Sequence, residues 1–260
     1  MPLTISHPAA SVPLTRLGLV LSALVVGSMT PDFPYFIPLF LHYSGFSHSI
    51  SGLLAFCVPL GLVTLGIFHF FIKYPAFSLL PINHQNRLYE ITRDFTFWPF
   101  RRFLLIIISI YLGAFTHILW DSFTHAQGWI VQQFVFLKLP LFGLQTIPIY
   151  ELLQYGSTLL GGIFLLYWYS NWYKYAKPSP VPKNLTSTNF TKITLLATMS
   201  TIALITAASD GLDNMFMIQA SFYRRILNGH LFVVSVSTFI LEIMVFSAYW
   251  HFRHKKDNAI

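Results

Sequence analysis

FLLIIISIYLGAFTHILWDSF, residues 103–123, is the stretch that decides the fold. It carries no charge before Asp121, and about 20 apolar residues in a helix are enough to cross the hydrocarbon of a bilayer. Arg101 and Arg102 precede it, and His117, Asp121 and His125 interrupt its far end. Residues 51–72 are equally apolar and stop at Lys73, ahead of Pro75. Residues 152–172 hold Gly156, Ser157, Gly161 and Gly162, which permit close helix approach, and run into the interfacial aromatics Tyr167, Trp168, Tyr169, Trp172 and Tyr173. Residues 193–209 and 230–250 complete five spans. A shorter run behind Arg16, residues 17–29, reads as a retained segment, either a sixth crossing or a re-entrant half-helix.

Composition carries the same reading to the whole chain. Of its 260 residues 55% are hydrophobic and 10% charged, against about 25% charged in soluble domains. The expected class is an all-α, polytopic transmembrane helical bundle. The net charge of +7 follows topology, with no sign of a nucleic-acid groove. Basic residues gather in 73–102, 174–192 and 253–256, which lie on one side when five helices alternate, whereas Arg16, Lys138, Arg224 and Arg225 are left for the other. That bias expects a multi-pass protein of the cell membrane with a cytoplasmic C-terminus, its partners membrane lipids and any protein partner open. KPSPVPK, residues 177–183, has prolines at alternate positions and reads as an extended linker. The expected division is therefore a polar-site bundle (1–173), a cytoplasmic linker (174–192) and a two-helix segment with a basic tail (193–260). The single cysteine, Cys57, excludes an intramolecular disulfide and reads as a small buried apolar residue.

The charge rule also places His7, Asp32, His42, His48, Asp121, His125 and Glu151 at or near the extracytoplasmic face. On a helix His117 and Asp121 are one turn apart and share a face, and His125 extends the row if the helix continues. Imidazole and carboxylate so placed are ligands for zinc or another divalent ion, and equally a hydrogen-bonded pair satisfying each other inside a bundle. Asp32, between Pro31 and Pro34, is held at a defined place, as a ligand or as a turn residue. His48 lies just before the second apolar run, where Ser47 or Ser49 can cap, and Ser6 can cap a start at His7. With Asp32, His117 and Asp121, His48 supplies four groups from separate segments at one depth, enough to close around an ion. Glu151 is a ligand, a general base or a carboxylate facing its helix dipole. Glu242, inside the last span, is a buried partner or a proton relay. Asp210 and Asp213 in SDGLDN read as a solvated turn, and Arg224 and Arg225 as headgroup contacts. Phosphate loops, dinucleotide fingerprints, HExxH and CxxC are absent from the sequence.

Four spaced motifs carry a resemblance: SHPAASVPLTRLGLVLSALVVGSMTPDFPYF (6–36), FSHSISGLL (46–54), GAFTHILWDSFTH with GW (113–129) and YELLQYGSTLLG (150–161). Together they resemble an uncharacterised bacterial family of multi-pass membrane proteins, domain-of-unknown-function family 4184, over residues 1–173. A fainter pattern is similar to membrane-bound metal-dependent hydrolases, themselves distant relatives of the zinc-dependent phospholipase C and nuclease fold. That resemblance implies His7, Asp32, His48, His117 and Asp121 as metal ligands, with His125 and Glu151 as additional or supporting ones. The function expected is a membrane-embedded hydrolase of a phosphoester or lipid headgroup, with Asp121 or Glu151 in the catalytic role. The alternatives are a non-catalytic membrane protein binding a partner or lipid, and small-ion transport leaning on Glu242.

Overall fold

The computed structural model describes residues 6–141, 147–215 and 221–257. It is 84% helical, with no strand among the described residues and five helices long and apolar enough to span a membrane. The chain forms two compact units. One comprises Met1–Pro34, Pro38–Leu65 and Thr96–Lys174; the other comprises Tyr35–Ile37, Gly66–Phe95 and Tyr175–Ile260.

The first unit begins with a hairpin. Helix α1 (Pro8–Ser11) continues as a 3-10 segment, Val12–Leu17. Gly18, at φ 80°, supplies the left-handed bend that sends the chain back into α2 (Leu21–Met29). His7 is the N-cap of α1 and makes no side-chain cap of its own. Helix α3 (Ile50–Ser78) starts at Ser49, whose Oγ accepts from the Gly52 amide at 3.0 Å.

Helix α3 runs past the stop expected at Lys73 and Pro75, and it contains Pro59 as well. Each proline removes an amide donor and crowds the carbonyl one turn back. A π-turn immediately precedes each, at Leu53–Cys57 and at Phe68–Ile72, so the wider turn absorbs the missing bond.

Helix α4 (Ile82–Arg93) occupies the connection that sequence left as a loop, and α5 (Phe100–Thr124) is the scaffold of the first unit. Its inner face buries Ile106, Ser109, Ile110, Gly113, Ala114, His117 and Thr124. Helix α2 lies against that face at Gly27 and Gly113. A Cβ on Gly27 would strike the Ile110 backbone, and one on Gly113 would strike the Leu24 carbonyl and the Ser28 amide. At the bend the Val20 amide donates to Ser109 Oγ (2.9 Å), so a backbone group outside any helix has a partner. Ser109 is about 12 Å below His117 along α5, at 1.5 Å per residue. The hairpin therefore descends about 12 Å along α5, roughly a third of its length, and returns, with His7 and Asp32 at the same level. Leu53, Cys57 and Ala114 make a buried cluster with Phe56, Tyr111 and Ile118, which gives Cys57 the apolar role expected of it. Helix α6 (Ile149–Tyr175) meets this unit through Gly161, against Ser6 and Ala9, and through Ser157 Oγ, which accepts from Trp120 Nε1 at 3.1 Å.

In the second unit α7 (Asn189–Met215) packs on α8 (Ser221–Asp257). Helix α7 runs through SDGLDN, where sequence suggested a turn: neither Gly211 nor the flanking acids break an otherwise regular apolar helix. The side chains of Asp210, Asp213, Arg224 and Arg225 lie outside the described residues. Buried Lys73 donates to the Thr92 carbonyl (2.7 Å) in the last turn of α4, a cation at a helix C-terminus, and Lys192 donates to the Leu80 carbonyl (2.6 Å). Both oxygens of Glu242 are buried without a hydrogen-bond partner among the described residues.

Candidate metal centre

Four parts of the first unit converge on one spot. The start of α1 brings His7, and the Thr30–Asp32 turn after α2 brings Asp32. The segment before α3 brings His48, and the end of α5 brings His117, Asp121 and His125. His117 is completely buried, and His7 and Asp32 are each 5% exposed. Asp121 Oδ2 lies 3.3 Å from His117 Nε2 and 3.8 Å from His48 Nε2, while Asp121 Oδ1 lies 3.4 Å from His125 Nδ1 and 3.7 Å from His7 Nε2. Asp32 Oδ1 is 3.4 Å from His48 Nε2 and 3.6 Å from His117 Nε2. The His7 and His117 rings stack at 3.8 Å.

Backbone carbonyls aim the imidazoles. His117 Nδ1 donates to the Ser28 carbonyl at 2.8 Å and His48 Nδ1 to the Ser44 carbonyl at 2.8 Å, which turns Nε2 of each ring toward the carboxylates. The Ser28 contact exists because Gly113, one turn before His117, lets α2 approach. His125 lies just beyond the helix, in extended backbone (φ −120°, ψ 142°), and still reaches Asp121. Its other nitrogen faces Gln154 Nε2 on α6 at 3.4 Å. Glu151, three residues earlier, opens α6. His42 packs its ring against Tyr43 at 3.9 Å. Ser28, Ser44 and Gln154 complete the surroundings. The first two act through main-chain oxygens, which side-chain identity does not announce, and only the place of Gln154 on the face of Glu151 hinted at the third.

The spacing separates the two readings left open by sequence. A mutually satisfied His–Asp pair is a charge-assisted hydrogen bond of about 2.7–2.9 Å. The separations here, 3.3–3.8 Å, are longer, and His7 Nε2, His117 Nε2 and Asp121 Oδ1 are buried without a hydrogen-bond partner among the described residues. Such orphaned groups cost about 1–3 kcal/mol each. Ligands at about 2.0–2.1 Å from a tetrahedral ion stand about 3.3–3.4 Å apart, close to the shorter distances observed. Two groups, His7–Asp32–His117 and His48–His117–Asp121, each place one ligand atom per residue within 4.8 Å of the others. Burial, with the stacked His117 ring second, pushes the His7 imidazole down to about 4, so it is a neutral ligand at ordinary pH.

Five helices long and apolar enough to cross a membrane, and in the first unit a His/Asp cluster able to hold a metal ion, define a multi-pass helical membrane protein with a candidate metal centre. The chain matches the family described as Domain of unknown function (DUF4184) over residues 1–248 and belongs to it. The match reaches well beyond residue 173, where the resemblance read from sequence ended, and takes in the last two long helices. No curated protein and no solved structure matches the chain.

Proposed function

We propose that this protein is a membrane-embedded, divalent-metal-dependent hydrolase acting on a phosphoester, such as a lipid headgroup, at the extracytoplasmic boundary. The observation that carries the reading is the set of Nε2 and carboxylate atoms facing one another at coordination spacing while backbone carbonyls fix the rings from behind. His48, His117, Asp32 and Asp121 would hold one ion through Asp121 Oδ2. His7 and His125 stand on the Oδ1 side of the same carboxylate, as ligands to that ion or to a second. Zinc suits this donor set. An ion there lowers the pKa of bound water and polarises a phosphoryl oxygen. His125, whose side chain is 34% exposed, forms the open edge where substrate reaches the cluster, and Gln154 orients it. Asp121, 14% exposed, holds the centre together, and Glu151 is the nearby carboxylate available as a base. The resemblance of the sequence pattern to membrane-bound metal-dependent hydrolases fits the same reaction class, and the basic residues of 73–102, 174–192 and 253–256 favour a cytoplasmic C-terminus.

Metal analysis and phosphoester hydrolysis by detergent-purified protein test this together. Wild type should carry zinc or take it up stoichiometrically and release phosphate or phosphoalcohol from lipid vesicles. A His117→Ala, Asp121→Ala double variant should do neither. Wild type that binds no divalent ion ends the proposal, and binding without hydrolysis of any phosphoester leaves a metal site and removes the enzyme.

A further inference from the structure

Apart from the His/Asp cluster, the first unit contains a cavity of about 470 Å³ between the 3-10 segment Val12–Leu17 and the second half of α6. Its lining includes Val12, Thr15, Arg16, Tyr167, Trp168 and Asn171. Along α6 its lining runs from Phe164, about 15 Å beyond Gln154, to Asn171, about 25 Å beyond it. Helix α6 meets the rest of the unit at Gln154, Ser157 and Gly161, and none of its most apolar stretch is buried.

Arg16 gives the gap its chemistry. It is the one basic residue of the hairpin, it is exposed, and among the described residues no carboxylate pairs with it. A guanidinium in the depth of a bilayer is costly unless it extends to the interface and meets an anion. Tyr167 and Trp168 are the aromatics that favour that boundary, and Asn171 and Thr15 add hydrogen-bonding groups. The volume lies in the range of small-molecule pockets, about 300–1,000 Å³. We infer that this cavity is a binding site for one anionic phospholipid, its phosphate on Arg16 and its upper acyl chain between Val12 and α6. This lipid is a structural ligand, distinct from any substrate of the His/Asp cluster.

The test uses the full chain in a delipidating detergent, with phosphatidylglycerol or phosphatidylcholine added back and bound lipids counted by native mass spectrometry. Wild type should retain one phosphatidylglycerol in preference to phosphatidylcholine. Arg16→Gln should weaken that retention about fivefold, equivalent to about 1 kcal/mol. Arg101→Gln, outside the cavity, should leave it unchanged. Asn171→Phe, which fills the space and keeps the charge, should reduce retention as well and stands in if Arg16→Gln fails to fold. Equal retention of the two lipids by wild type, or Arg16→Gln and Asn171→Phe both indistinguishable from it, overturns the inference. Metal content should be unaltered in every variant, so the outcome is independent of the hydrolase reading.

Discussion

At the scale of single residues, the cluster is set by which atom of each imidazole is already engaged. Ser28 and Ser44 carbonyls take Nδ1 of His117 and His48 and leave Nε2 for an ion. Zinc added to metal-free protein should therefore raise the melting temperature of wild type and of His42→Ala, and leave His117→Ala unmoved, in thermal-shift measurements. Cys57, fully buried with Sγ 3.5 Å from the Ser47 carbonyl, should resist maleimide until the protein is unfolded. The residues of the cluster were legible as sequence, because His and Asp in apolar surroundings stand out. Their convergence was less so: the stacking of His7 on His117 joins residues more than a hundred positions apart, and no periodicity carries that information.

The elements that place those residues depend on close backbone approach. Gly27 and Gly113 let α2 rest on α5, and the Ser28–His117 hydrogen bond follows from it. Gly113→Leu should lower stability by about 1–3 kcal/mol and reduce metal content although it removes no ligand. Gly66→Leu, at a position open to 4 Å, should do neither, as melting curves and metal analysis of the two variants would show. In α8, Glu242 has two buried oxygens without a partner among the described residues, so Glu242→Leu should raise the melting temperature. A fall on that substitution would show that the carboxylate has a partner to satisfy. The long helices were readable from apolar length, but their ends were not. Pro75 is a stop by local rules, yet α3 continues through it because a π-turn takes up the lost hydrogen bond. Helix α4 was hidden because its polar sequence has no apolar run to announce it, and its last turn is anchored by Lys73 from another helix.

For the whole molecule, the clearest expectation is topological. In a Cys57→Ala background, Gln127→Cys beside the cluster should react with an impermeant thiol reagent from outside the cell, and Pro178→Cys only after permeabilisation. The opposite pattern would invert the side of the membrane on which the centre works. Membership of a family of unknown function fixes the architecture without choosing a chemistry, and the choice falls to the cluster.

The hairpin also imposes an order on biogenesis. His7 and Asp32 leave the ribosome long before Ser109, which receives the Val20 amide, and before the α5 residues that complete the donor set. The N-terminal bend must wait in or at the bilayer until α5 inserts beside it, so the donor set is complete only at the end of that assembly.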